Sequence, residues 1–165
     1  MDQTVIWASI VGLAGLVAAA ATALLWKWNP KHRGEEETNL LGWMAQDAAE
    51  CLKTLNEIRE AQGLRPFILD ERLARAASDH AFRMAFTKRM SNDIGGGVGH
   101  RVSSTGYAWS KLCQDIGRTN RGGQAMAMLW ARASGNRPGI VSRDYTHAGV
   151  GCWKNYYCAI FAAPR

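Results

Sequence analysis

The sequence predicts an α+β sandwich of layers, in which helices flank a small sheet, preceded by a single N-terminal transmembrane helix. Three observations support this prediction. Residues 4–26 form an almost uncharged apolar run. The segments 38–63 and 70–85 repeat apolar residues at three- and four-residue steps, which is typical of amphipathic helices. The segments 147–152 and 157–163 are short and apolar, which indicates two neighbouring strands near the end of the chain.

The apolar run is long enough to cross a membrane, since at about 1.5 Å per residue it extends about 34 Å, against roughly 30 Å of hydrocarbon. Tryptophans at positions 7, 26 and 28 flank it, as in interfacial aromatic belts. Small residues give it a face on which another helix could pack closely, namely Gly12, Gly15 and Ala19. We assign residues 1–28 as a membrane anchor. A cleaved signal peptide is the alternative, because Ala21-Thr22-Ala23 resembles a cleavage site, but no Lys or Arg precedes the run.

Residues 29–38 are polar and are predicted to form a linker, and residues 39–165 a folded domain. Its first helix is expected from Thr38 to Gly63, and Asp70 can cap the second helix. His80 falls on the apolar face of that second helix, which favours a core histidine over a ligand. Residues 92–100 are a glycine-rich loop that lacks the spacing of a phosphate-binding loop.

After a second loop at residues 119–123, a helix carries Met126, Leu129 and Trp130, whose spacing predicts core positions. The closing strands are predicted to be joined by a turn at Lys154-Asn155. This places the last two strands side by side in the sheet.

The charge distribution restricts the partners. The net charge is +6, and residues 38–165 hold seventeen Lys and Arg against ten Asp and Glu. Such a domain suits an acidic protein face or anionic lipid headgroups. Nucleic acid is not expected, because the basic residues are scattered singly and are not interleaved with aromatics. The expected partners are therefore the lipid bilayer and subunits of an integral membrane protein complex.

Four cysteines show no Cys-x-x-Cys and no zinc spacing. Cys152 and Cys158 flank a predicted hairpin, which would bring them within bridging distance if they face each other across it. Cys51–Cys113 is the second expected disulfide. The alternative is that the thiols are free and packed as small apolar residues.

Several segments in the second half of the chain resemble one family in their order and spacing. They are Gly106-Tyr107, Leu112-Cys113-Gln114-Asp115-Ile116, Trp130 with Ser134-Gly135-Asn136-Arg137, Asp144-Tyr145-Thr146 before Gly149-Val150-Gly151, and Tyr156-Tyr157 to Phe161. Together they resemble the CAP domain of cysteine-rich secretory, antigen 5 and pathogenesis-related proteins, of the bacterial type. The resemblance covers about residues 45–163 and implies a CAP-like α-β-α sandwich.

In metal-binding members of that family, histidines and glutamates converge in a cleft. The resemblance places the histidine of the serine-histidine pair at Asn92, the glutamate of Gly-Glu-Asn-Ile at Gln114 and the histidine of Gly-His-Arg at Asn136. A second histidine of eukaryotic members falls at Asp144. An amide neither titrates near neutral pH nor coordinates zinc well. We therefore predict a vestigial cleft with no metal, no cofactor and no catalytic residue.

Two functions follow as hypotheses. The first is a non-catalytic, membrane-anchored CAP-like accessory or stabilising subunit of a larger membrane complex, such as a respiratory or photosynthetic one. The second is a surface-anchored CAP protein that binds a small lipid-like ligand or retains weak hydrolase activity. Lys27, Lys31 and Arg33 follow the apolar run and favour a cytoplasmic domain. The cysteines and the resemblance favour the opposite, and we predict a single-pass cell-membrane protein with an extracytoplasmic, periplasmic domain.

Overall fold

The computed structural model describes the backbone of residues 30–165 and the side chains of residues 41–165. The chain divides into two units at Gly42, and the second, Trp43–Arg165, holds the sheet and its flanking helices. The predicted anchor, with Gly12, Gly15 and Ala19, lies outside the described residues. Among residues 30–165, no helix combines the length and the apolar character that a membrane span requires.

The described elements alternate helices with short strands. In chain order they are α1 Pro30–Glu60, β1 Ile68–Leu69, α2 Glu71–Thr87, α3 Val98–Ser103, β2 Trp109–Arg118, α4 Gly122–Arg132, α5 Arg137–Val141, β3 His147–Trp153 and β4 Tyr156–Pro164. The strand order in the sheet is β1-β3-β4-β2. β4 pairs antiparallel with both β2 and β3, whereas β1 runs parallel to β3.

The sheet separates two apolar clusters. One contains buried residues of α1, α4 and α5, such as Leu55, Trp130 and Ile140. The other contains residues of α2 and α3, such as Met84 and Val102. Because successive residues of a strand point to opposite faces, β4 contributes alternately to the two clusters. The predicted α+β sandwich of layers is therefore confirmed.

Two glycines of β3 let α2 lie directly on the sheet. A Cβ atom on Gly149 would overlap the backbone of Leu73 and Ala74, and one on Gly151 would overlap the backbone of Ala77 and Ser78. α2 thus runs in the same direction as β3 and advances four helical residues for every two strand residues. The two steps match, at about 6 Å and about 6.7 Å respectively.

Local sequence features predicted several elements correctly. Asp70 caps α2 by accepting hydrogen bonds from the amides of Arg72 and Leu73. The two-residue turn Lys154-Asn155 joins β3 to β4, with Lys154 in the left-handed region at φ 54°. His80 is fully buried on α2, as predicted for a core position, although neither ring nitrogen has a hydrogen-bond partner among the described residues.

Three details differ from what the sequence suggested. The backbone of the segment 29–38, predicted as a linker, is helical from Pro30, since proline is tolerated in the first turn of a helix. Within the predicted 92–100 loop, α3 begins at Val98. Leu129, predicted to be core, is 48% exposed, since its place on α4 points away from the sheet.

Candidate functional site

A buried arginine contacts two of the positions at which the family resemblance would place metal ligands, Asn92 and Gln114. On β2, the Gln114 side chain accepts a short hydrogen bond at Oε1 from the Arg101 guanidinium. Gln114 Nε2 in turn donates to Asn92 Oδ1 at 3.0 Å. The structure therefore brings two of the predicted cleft residues together, and Arg101 of α3 completes the group.

Arg101 is anchored by carbonyl groups of the glycine-rich loop. Its guanidinium donates to the carbonyl of Asn92 at 3.1 Å, to that of Ile94 at 3.5 Å and, in a short contact, to that of Gly96. The residue is only 5% exposed. Burial lowers the pKa of Arg101, but a guanidinium is not deprotonated in proteins, so a positive charge is fixed inside this site.

That charge also acts on the neighbouring histidine. Burial, and next the charge of Arg101, lower the pKa of His80. The ring is therefore neutral near pH 7, and its environment on α2 disfavours the protonated form needed to donate a proton. His80 is part of the packed core under this site.

Asn136 lies on the other face of the sheet. Its Nδ2 donates to Asp115 Oδ1 at 2.8 Å, and Asp115 follows Gln114 on the strand. Gln114 pairs with Ile160 of the α2-side cluster, whereas Asp115 pairs with Ala159 of the α1-side cluster. The predicted single cleft of Asn92, Gln114 and Asn136 is thus two separate groups on opposite faces, because the consecutive strand residues 114 and 115 point to opposite sides of the sheet.

Asp115 is a site residue that the sequence reasoning missed. It is 3% exposed, its Oδ2 has no hydrogen-bond partner among the described residues, and burial raises its pKa to about 6. The motif itself could have indicated Asp115. The residue after Gln114 is an aspartate, where the family pattern Gly-Glu-Asn-Ile has an asparagine. The acid and the amide have exchanged places between adjacent positions.

Asp144, the fourth predicted cleft position, lies at the surface. Its Oδ2 accepts from Lys111 Nζ at 2.7 Å, and both side chains are more than half exposed. This contact joins the start of β2 to the segment before β3. The Asp144 side chain has no described hydrogen bond to Gln114, Asn92 or Asn136.

The residues at this site do not fit a divalent cation. Within the described residues, no group of three or more His, Cys, Asp or Glu side chains could hold a metal ion. The acceptor Gln114 Oε1 is already occupied by a guanidinium, and a second positive charge beside it would be repelled. The side chains that meet here are two amides and one guanidinium, which carries a permanent positive charge.

Both predicted disulfides are absent, and all four cysteines are free thiols. Cys152 pairs in register with Tyr157, so Cys152 lies in the α1-side cluster and Cys158 in the α2-side cluster. A strand reverses the side-chain direction at each residue, which rules out the hairpin pairing. Cys113 lies against α5, where a Cβ on Gly139 would come within 2.8 Å of its Sγ.

Cys51 instead belongs to a buried group between α1 and the hairpin. Tyr157 donates a short hydrogen bond to Asp47 Oδ2, one helical turn before Cys51. Burial is the main cause that raises the pKa of Cys51, and that of Cys152 to about 12. These thiols therefore stay protonated and unreactive at neutral pH.

A small sheet covered by helices on both faces, carrying the motif residues on β2, α5 and β3, defines a CAP-type sandwich domain. The chain belongs to the cysteine-rich secretory protein family, or CAP family, whose sequence model matches residues 52–161. The resemblance inferred from the motifs is thereby confirmed. A search of curated proteins gives no match.

Solved structures share the fold. The chain is similar to an extracellular protein with an SCP domain from Bacillus anthracis, with TM-score 0.70, 21% identity, and coverage of 72% of this chain and 41% of that one. It is similar to a cysteine-rich secretory protein from Staphylococcus aureus, with TM-score 0.63, 18% identity and coverage of 72% and 38%. An outer surface protein from Borrelia burgdorferi gives TM-score 0.66 at 11% identity, with coverage of 73% and 94%. The chain thus spans about two fifths of the Bacillus and Staphylococcus proteins.

Proposed function

We propose that this protein is a non-catalytic, membrane-anchored CAP domain that acts as an accessory or stabilising subunit of a larger membrane protein complex. The observation that carries the proposal is the buried Arg101, whose guanidinium occupies the acceptors of Gln114 and the glycine-rich loop. Because this guanidinium already bonds Gln114 Oε1, that amide oxygen is not free to bind a substrate or a metal ion.

The chemistry of the residues supports the non-catalytic part of the proposal. General acid–base catalysis needs a group that titrates near the working pH and can reach the substrate. Gln114 and Asn92 do not titrate, and Arg101 does not lose its proton. Asp144 forms an exposed ion pair with Lys111.

Other features of the chain support the membrane attachment and the kind of partner. The apolar run at residues 4–26 supports anchoring in the cell membrane, and the small residues within it support packing against another helix. The basic composition of residues 38–165 suits an acidic partner face. The extracellular and outer-surface proteins among the structural relatives support a domain on the outer side of the membrane.

A second candidate function is a surface-anchored protein that binds a small lipid-like ligand or retains weak hydrolase activity. One observation favours it: Asp115 is buried, has a pKa raised to about 6 and keeps one oxygen without a partner. Such a carboxyl could exchange a proton near neutral pH. Its neighbour Asn136 would then orient it.

Extraction in mild detergent followed by native electrophoresis tests the proposal. We expect the chain to comigrate with a large assembly and not to migrate alone at the size of an 18.1 kDa protein. Gly12→Leu with Gly15→Leu should release it while leaving it in the membrane, whereas the matched pair Ile10→Leu with Val17→Leu should not. A wild-type chain that migrates alone after the mildest extraction would contradict the subunit role.

A further inference from the structure

One end of the sandwich collects aromatic and basic side chains, and we call it the hairpin pole. It is formed by the β3–β4 turn with Trp153 and Lys154, by Trp43 and Met44 of α1, and by the end of α2 with the residues after it, from Phe82 to Met90. The amide of Lys154 donates to Met44 Sδ at 3.4 Å. On the other side of the turn, the Phe82 ring packs edge-on against Trp153, with centroids 4.8 Å apart.

The direction of α2 carries its last turn beyond the sheet. Gly149 lies against Ala74, Gly151 against Ser78 and Trp153 against Phe82, so strand and helix advance together toward the turn. β3 ends at Trp153, whereas α2 continues to Thr87. Phe86 therefore lies about 6 Å further along the helix axis than Phe82, past the hairpin turn.

The side chains at this end are unusually exposed for their type. Phe86 is 79% exposed, Trp43 49% and Phe82 40%, and every residue from Phe86 to Met90 is exposed. Phe82 and Phe86 stack on each other with centroids 6.0 Å apart. Single exposed apolar residues are common, but several aromatics at one end of a domain mark a contact surface.

The charges beside these rings are positive. Arg83 is paired with Asp79 at 2.7 Å, whereas Lys88, Arg89 and Lys154 form no ion pair within residues 41–165. All three are exposed. Exposed aromatic rings next to unpaired lysine and arginine are the combination found where proteins rest on anionic lipid headgroups.

The course of α1 places the chain's entry at the same end. Met44 contacts the turn after β3, whereas Arg59, four turns later, donates to the carbonyls of Ile140 at 2.7 Å and Tyr145 at 3.3 Å, just before β3 begins. α1 therefore runs opposite to β3 and enters this unit at the hairpin pole. The unit Trp43–Arg165 thus begins at the hairpin pole, and residues 1–42 precede it in the sequence.

We infer that the hairpin pole is a lipid-contact surface, with Phe82 and Phe86 at the level of the headgroups of an anionic phospholipid bilayer and Lys88, Arg89 and Lys154 facing their phosphates. The inference rests on the membrane attachment in the proposed function and does not depend on a partner complex. It assigns an orientation to the domain: the sheet end that carries the β3–β4 turn faces the membrane, and the end that carries Tyr145 points away.

Photocrosslinking of the full-length chain in phospholipid vesicles tests this contact. A benzoylphenylalanine replaces Phe86 in one variant and Leu129 in a matched control, since Leu129 is exposed but lies on α4 on the other side of the sheet. Vesicles contain phosphatidylcholine with or without phosphatidylglycerol, and mass spectrometry identifies the adduct. We expect lipid adducts at position 86, increased by phosphatidylglycerol, and few at position 129.

Charge variants refine the test. Lys88→Asn with Arg89→Gln removes two charges, and asparagine tolerates the left-handed backbone of Lys88 at φ 53°. At about fivefold per basic residue, the phosphatidylglycerol-dependent adduct at position 86 should fall at least several-fold. The control pair Arg132→Gln with Arg143→Gln removes the same charge elsewhere and should leave it unchanged.

Four outcomes would overturn the inference. Crosslinks from position 86 to protein, whether a second copy or another chain, would make the hairpin pole a protein interface. Equal lipid adducts at positions 86 and 129 would mean that no end of the domain is preferred. If the chain floats with the vesicles but gives no lipid adduct at position 86, only this inference is overturned. If the chain does not float with the vesicles, the proposed membrane attachment is contradicted as well.

Discussion

Replacing Arg101 with methionine removes the buried cation while keeping a side chain of similar length. Four acceptors lose their donor: Gln114 Oε1 and the carbonyls of Asn92, Ile94 and Gly96. A buried acceptor left without a partner costs about 1–3 kcal/mol, but Asn92 and Gly96 are exposed enough to be hydrated instead. We therefore expect the free energy of unfolding to fall by about 3 kcal/mol.

Thermal and urea unfolding of the full-length chain in detergent, followed by circular dichroism, measure this change. For a domain of this size, the expected loss corresponds to a melting temperature lower by about 10 °C. Arg118→Met is the matched control, because Arg118 is exposed and its side chain makes one described hydrogen bond, to Tyr156 Oη at 3.3 Å. It should change stability by about 0.5 kcal/mol or less. A loss below about 1 kcal/mol for Arg101→Met would refute the view that this arginine fills and holds the site.

Three further predictions concern other buried groups. Burial raises the pKa of Asp115 to about 6, so stability should fall as pH rises from about 4 to about 7. Asp115→Asn should remove that fall and be about 1–2 kcal/mol more stable than wild type at pH 7, with no difference at pH 4, as measured by urea unfolding. Gly123→Ala should destabilise by more than about 2 kcal/mol, because its Cβ would overlap the Asp47 carbonyl, and a wild-type melting temperature would contradict this. In timed maleimide labelling, half-buried Cys113 should react before the three buried thiols, and equal rates would contradict the packing described.

The elements that could be predicted from the sequence are those specified by neighbouring residues. An aspartate before an apolar helical repeat predicted the start of α2, and two apolar segments separated by Lys154-Asn155 predicted the hairpin. These features depend on hydrogen bonds and side-chain periods within a few residues. The family was recognisable for a related reason, since the order of several short motifs survives along the chain.

The wrong predictions concern features that depend on the tertiary structure and not on neighbouring residues. β2 was not recognised as a strand, because Trp109–Arg118 mixes charged and apolar residues and is half-exposed at the sheet edge. Without the strand, Gln114 and Asp115 could not be assigned to opposite faces. The same omission of strand alternation produced the wrong pairing of Cys152 with Cys158.

The contribution of Arg101 could not be read from the sequence either. It lies in a helix of six residues within a glycine-rich segment, where a basic residue is ordinarily solvated. Only the folded chain brings it to Gln114, thirteen residues later. The sequence therefore indicated the positions at which amides stand, and the structure showed that a buried guanidinium bonds one of them, Gln114.

Zinc binding by the purified full-length chain tests the central claim most directly. Elemental analysis measures the metal retained through purification, and a zinc titration followed by the melting temperature measures any site that remains. Because the Arg101 guanidinium occupies Gln114 Oε1, we predict no stoichiometric zinc and no rise in melting temperature at any zinc concentration that leaves the protein soluble. One zinc retained per chain, with a saturable rise in melting temperature, would contradict the account of a site filled by the protein's own arginine.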